Sequence, residues 1–174
     1  YLQLEILTGL RVKEGAKIKP ADVDLEARVF TVRDTKNKTD HTLPLSDYLF
    51  DLLAPRVRAG GEYVFPGARD GGHLVEPKKM LARVRRASGV EFTVSDLRRT
   101  FITIAESLDI PAYALKRLLN HKMKNDVTAG YIVTDVERLR APMQKVTDFV
   151  LRAAGLRASA EVVELPGLTG AAAR

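Results

Sequence analysis

The sequence has no cysteine, which excludes a disulfide framework and thiolate chemistry. It has only three histidines, His41, His73 and His121, which argues against a histidine-rich metal site. No apolar run approaches the ~20 residues that a membrane-spanning helix needs, and no signal peptide is visible. Internal repeats and a separate second domain are also lacking. The chain opens at Tyr1 without an initiator methionine. It therefore reads as a part cut from something longer and leaves upstream targeting open.

What is present suits one globular domain. The 174 residues are enough to bury a core. With 45% hydrophobic and 29% charged residues, the composition is not that of a disordered chain. Lysine and arginine outnumber aspartate and glutamate 28 to 22, for a net charge of +6. That balance suits a polyanionic partner.

Periodicity divides the chain further. Leu2, Leu4, Ile6 and Leu7 predict a buried helix, and a glycine turn at Gly9 leads to a second helix from about Arg11. Val29, Thr31 and Arg33 alternate with Phe30 and Val32, and Thr42 and Leu43 mirror them, which predicts a β-hairpin turning near Lys36–Thr39. Ser46 is expected to cap a helix running to about Val57, with Leu49, Leu52 and Leu53 inward. EYVFPG reads as a short buried strand or extended stretch, ARDGGHL as a loop, and Glu76–Ala87 as helical. A helix from Asp96 to about Leu108 carries the stripe Leu97, Phe101, Ile104, Ala105 and Leu108. Asp109 and Pro111 are expected to start the next helix, with Leu115, Leu118 and Leu119 buried and Asn120 as a left-handed stop. Val127–Ile132 reads as one short helical turn. Glu137–Ala154 reads as a long amphipathic helix with Leu139, Val146, Phe149, Val150 and Leu151 on its face.

One stretch poses a chemical question. VSDLRRT, Val94 to Thr100, reads as a helix start with Ser95 as N-cap and Asp96 in the first turn. Arg98 and Arg99 follow at once, at the end of the helix where the dipole disfavours cations. An anion held there would favour them. Four other features stand out. Arg11 follows the Thr8–Gly9 turn with Glu14 on the same helical face, Lys36 lies in the hairpin turn, His121 follows the helix stop, and Tyr131 lies ten residues further on. Each also has a plain structural alternative. These are a surface ion pair, a solvated turn lysine, a histidine capping the last carbonyls and a packing tyrosine.

The four motifs occur in order: TGLRVKEG, DTKNKTDHTLPLS, SDLRRTF and LLNHKMKNDVTAGY. The ordered set resembles the catalytic domain of the tyrosine recombinases, the phage and prophage integrase family, over roughly the first 155 residues. The LNH…DVTAGY spacing is most similar to prophage and genomic-island integrases. The resemblance implies an α+β fold, predominantly helical with a small antiparallel β-sheet. It implies a catalytic domain at residues 1–157 and a C-terminal tail at 158–174. In that tail Glu161–Leu165 is expected to pair as an edge strand, in cis or in trans, with a disordered tail as the alternative.

By the same resemblance Arg11 and Arg98 clamp the scissile phosphate, Lys36 is the general acid, His121 is a further phosphate donor and Tyr131 is the nucleophile. Glu14 orients the Arg11 and Lys36 side. Arg99 either touches the DNA backbone or forms a structural ion pair. The implied partner is double-stranded DNA, on which such domains form a tetramer while being monomeric when free. No cofactor, metal or ATP is implied, and the expected location is the cytoplasm of a bacterial host, at the nucleoid. One position departs from the pattern. The family's His-x-x-Arg begins with histidine, and here Ser95 stands three residues before Arg98. Two functions therefore stay open, an active recombinase and a cleavage-impaired DNA-binding remnant.

Overall fold

Leu4 and Leu7, one turn apart on the first helix, are completely buried, and they set the centre around which the rest assembles. The computed structural model describes residues 1–67, 72–121 and 135–158. In chain order the elements are α1 (Leu2–Thr8), α2 (Val12–Ala16), a 3-10 turn (Pro20–Asp22), β1 (Val23–Asp24), β2 (Val29–Val32), β3 (His41–Pro44), α3 (Asp47–Ala59), α4 (Lys78–Ser88), α5 (Val94–Ser107), α6 (Ala112–Leu118), a second 3-10 turn (Val136–Leu139) and α7 (Arg140–Ala153). The fold is thus α+β, mainly helical with one small antiparallel sheet of order β1-β2-β3.

The hairpin register pairs Phe30 with Leu43 and Val32 with His41. Alternation then puts Phe30 and Val32 in the core while Thr31 meets Thr42 on the other face at 2.9 Å. The turn is closed by the Lys38 N–H donating to Thr35 O at 2.8 Å. β1 was not expected, because a two-residue strand carries no readable alternation.

The helices follow their apolar stripes. Phe101 and Ala105 of α5 are fully buried against α1, and α7 contributes Met143 and Val146 to the same core. Ser46 caps α3 by accepting from Leu49 N, and Thr147 of α7 donates to the same hydroxyl at 2.8 Å. Gly9 ends α1 at φ +62. An added Cβ there would lie 2.5 Å from Phe101 Cδ1, so glycine is what lets α5 cross directly over the end of α1.

Several boundaries differ from expectation. Ser95 is not the cap of α5. Thr93 takes that place, and Asp96 reaches back to the Thr93 N–H at 2.7 Å and its hydroxyl at 2.6 Å. A Thr-x-x-acid spacing outcompetes Ser95 because it satisfies the first backbone donor. Pro111 occupies the N-cap position of α6, and Asp109 instead turns the chain with φ +54. The helix expected from Glu137 becomes α-helical only at Arg140. Pro142 has no N–H to give to residue 138, so a tighter turn precedes the α-helix. Phe149 is exposed rather than part of the buried face of α7. Val64 and Phe65 are buried without forming a full strand. The expected turn at Val127–Ile132 and the expected strand at Glu161–Leu165 lie outside the described residues. Among those described, no helix is long and apolar enough to cross a membrane.

Candidate active site

Glu14 organises one side of the site. It is buried, yet one of its carboxylate oxygens meets Arg11 Nη1 at 3.1 Å and also accepts from the Lys36 N–H at 3.3 Å. The other oxygen accepts from the Arg11 N–H at 3.2 Å. A single carboxylate therefore fixes the start of α2 and ties the hairpin turn to it. Burial strengthens such charge-assisted bonds.

Two asparagines close the hairpin turn onto the end of α6. Asn37 Nδ2 donates to Asn120 O at 2.5 Å, and Asn120 Nδ2 donates to the buried Thr35 hydroxyl at 3.1 Å. Asn120 sits at φ +50, so the stop expected after α6 is also a latch that places the next residue, His121. The sequence reading missed Thr35, Asn37 and the side-chain role of Asn120. Nothing local signals a pairing across 83 residues.

Arg98 lies on the other side, on the first turns of α5. Its Nη1 donates to Gly9 O, at the end of α1, and its Nη2 donates to Leu119 O at 3.1 Å. Nη2 also meets His121 Nε2 at 3.1 Å. A guanidinium only donates, so Nε2 must be the acceptor and the imidazole is neutral in this contact. Partial burial lowers the His121 pKa below its usual value, and the cations Arg98, Arg11 and Lys116 lower it further. Three of the five guanidinium N–H groups of Arg98 are thus engaged. Among the described residues, the remaining two have no partner.

Arg11, Lys36, Asn37, Lys116, Asn120 and His121 line one open cleft of about 380 Å³. The structure therefore gathers Arg11, Lys36 and His121 around one space, with Glu14 beneath and Arg98 in contact with His121. Arg98 itself is not in the wall of that cleft. Lys116, which the sequence reading did not single out, adds a cation opposite Lys36. Arg99 pairs with Asp96 within the first turns of α5, the structural alternative given above. Thr93 and Arg99 hold the Asp96 carboxyl well down, to about 2. Ser95 is exposed at the second helical position, one turn before Arg98, and its hydroxyl makes no hydrogen bond among the described residues. Tyr131 lies outside the described residues. Of the other two histidines, His41 is buried with Nε2 donating to Leu118 O at 3.1 Å, and it lies near enough to the site to feel the charges of Glu14, Arg11 and Arg98. The His73 ring lies 5.4 Å from that of Tyr63 at a tilt of 51°.

With Arg11, Lys36, Lys116 and His121 in its lining, the cleft offers the kind of donors that suit an anion. The sequence profile of the phage integrase family matches residues 1–138, and the chain belongs to that family. It is 27% identical over 163 residues to the prophage integrase IntF of Escherichia coli (strain K12), an alignment covering 90% of this chain and 35% of that protein. It is 31% identical over 155 residues to the tyrosine recombinase XerA of Thermococcus kodakarensis (strain ATCC BAA-918 / JCM 12380 / KOD1), covering 79% of this chain and 51% of that one. The chain thus spans about half or less of the length of these curated relatives. Among solved structures, the integrase from mycobacterium phage Brujita superposes with a TM-score of 0.61 at 25% identity, over 83% of this chain and 50% of the other.

Proposed function

We propose that this chain is the catalytic domain of a site-specific DNA recombinase that cleaves and rejoins DNA through a covalent 3′-phosphotyrosine on Tyr131. The observation that carries this reading is the cleft itself. Arg11, Lys36 and His121 come from three distant segments and line one open cleft. Membership of the integrase family and the resemblance of its motifs supply the reaction and the role of Tyr131.

The chemistry follows from charge. The Tyr131 oxygen attacks the scissile phosphorus, and the bond from phosphorus to the 5′ oxygen of the next nucleotide breaks. The transition state carries added negative charge on the equatorial oxygens. Arg11, Arg98 and His121 stabilise it electrostatically. For Arg98 the two N–H groups without a partner among the described residues are the first available donors. The phosphate also competes with its contact to His121, which releases the imidazole toward the DNA. A free tyrosine has a pKa of about 10, and neighbouring cations favour the phenolate. Lys36 gives its proton to the departing 5′ oxygen. The products are a phosphotyrosine ester and a free 5′-hydroxyl. A 5′-hydroxyl from a second strand reverses the step, so the ester bond is conserved through the exchange.

Double-stranded DNA is the partner on this reading, with a tetramer assembling on it from free monomers in the nucleoid of a bacterial host. The test is a nicked suicide substrate, in which loss of the short 5′-hydroxyl strand traps the adduct. A covalent protein–DNA species that vanishes in Tyr131→Phe is the expected result. Tight binding with no adduct at any condition overturns the cleavage and makes the domain a DNA-binding remnant, with Ser95 as the impairing position.

A further inference from the structure

Glu5 is a completely buried glutamate on α1, and no role has been given to it above. Among the described residues, neither of its carboxylate oxygens has a partner at hydrogen-bond geometry. The nearby Tyr1 hydroxyl is committed to Val12 O at 2.6 Å. Space for the carboxyl is made on α2. A Cβ at Gly15 would lie 2.5 Å from Glu5 Oε1, so the residue next to Glu14 has to be glycine for this side chain to fit. An apolar residue at Glu5 would meet every packing need of such a pocket, so packing alone does not explain an acid.

The groups that act on Glu5 come from each neighbouring element. At the start of α1 it is the Tyr1 phenol, on α2 Glu14, and on α5 Arg98. Two of these, Glu14 and Arg98, are the supports of the phosphate cleft. Glu5 also shares the end of α1 with Arg98, because Arg98 holds Gly9 O while the Gly9 N–H donates to Glu5 O at 2.9 Å.

We propose that Glu5 is a positioning residue of the phosphate clamp: neutral, it leaves the Arg98 charge free for the DNA phosphate, and ionised, it draws on that charge from behind. The proposal rests on the phosphate-clamp reading of the cleft. Burial pushes the Glu5 carboxyl up to about 7, Glu14 adds to the rise, and the Tyr1 phenol and Arg98 oppose it. The raised value sets the sign. Below about 7 the carboxyl is protonated and the clamp keeps its full positive charge. Above it a second carboxylate joins Glu14 in acting on Arg98. A phosphate in the cleft repels that carboxylate, so binding raises its pKa and takes up protons near neutrality.

The experiment is a DNA titration of the unsubstituted chain and of Glu5→Gln from about pH 6 to pH 8. It is run beside a carboxyl-detected NMR titration of the unsubstituted chain with and without DNA. Glutamine mimics the neutral acid in size. The unsubstituted chain is expected to lose about fivefold more affinity across that range than Glu5→Gln, which corresponds to binding raising the Glu5 pKa by about one pH unit. The two are expected to bind alike at pH 6. The NMR titration is expected to place Glu5 near neutrality and higher with DNA bound. Identical pH profiles, or a Glu5 carboxyl that titrates in the ordinary glutamate range and ignores DNA, overturn the proposal. If Glu5→Gln fails to fold, the NMR titration alone decides by the same criterion. Covalent adduct is measured on the same samples. A pH-dependent difference in binding with no adduct anywhere supports Glu5 while refuting cleavage, so the two readings fail separately.

Discussion

Alanine at Gly9 tests the packing that delivers Arg98 to the site. Gly9 has φ +62, a region that costs a residue with a Cβ ~1–2 kcal/mol. Its Cβ would stand 2.5 Å from Phe101 Cδ1, 2.9 Å from Phe101 Cγ and 3.1 Å from Leu119 Cδ2. Phe101 is fully buried and has no free space to swing into. Overpacking of this kind adds ~1–3 kcal/mol. The sum is ~2–5 kcal/mol, or about 4–20 °C in melting temperature at ~2–4 °C per kcal/mol for a chain of this size. Gly89→Ala is the matched control. Gly89 ends α4 in the same left-handed region, φ +71 and ψ 4, with nothing within 4 Å of an added Cβ, so only the first cost applies there. Thermal unfolding of both variants, with adduct formation on a suicide substrate well below either melting temperature, makes the comparison. Gly9→Ala is expected to melt several degrees below Gly89→Ala. It is also expected to cleave more slowly, because Gly9 O anchors the Arg98 guanidinium. Equal melting of the two variants, or unchanged cleavage in Gly9→Ala, would refute the claim that this close crossing positions the arginine.

Other outcomes follow from the same geometry. Arg11→Ala and Arg98→Ala are each expected to slow cleavage by ~100–1000-fold, the usual effect of removing one transition-state donor, and near-parent rates in single-turnover assays would remove that arginine from the clamp. Ser95→His restores the family residue at an exposed position one turn before Arg98. It is expected to raise the cleavage rate, with melting measured alongside, and an unchanged rate means that another group already serves there. Binding is expected to weaken with salt at a slope of log K on log salt near −4 to −5, for about five phosphate contacts; a flat response contradicts a phosphate clamp. His121 should titrate below its usual value in the DNA-free chain, so its contribution to stability is full above about pH 6.5 and declines as pH falls below it. Removing the neighbouring cation in Arg98→Ala should move the NMR-observed titration of His121 upward, and no movement would show that the contact at 3.1 Å has no electrostatic weight.

The sequence by itself determined whatever depends on near neighbours. Leu4 and Leu7, or Phe101 and Ala105, fall on one face because side chains three or four apart meet on a helix, so the α-helices and their buried stripes were readable. Phe30 and Val32 marked the inner face of β2 by simple alternation. The Arg11–Glu14 pair was legible for the same reason, being one turn apart. Even the misplaced cap lay in local information, since Thr93 and Asp96 have capping-box spacing and Ser95 was the wrong choice between two good cap residues. The ordered motifs fixed the family, but they assigned roles without geometry. Only the tertiary structure decided that Arg98 hangs from the last carbonyl of α1 and from Leu119, that Asn37 and Asn120 bolt the hairpin turn to His121, and that Glu14 serves Arg11 and Lys36 together. It also decided that Glu5 is sealed against Gly15. These contacts join residues up to 89 positions apart in the chain. They form because burying Phe101, Leu118 and Met143 in one core brings distant segments to the same place, and burial of that kind is non-directional and leaves no spacing in the sequence to read.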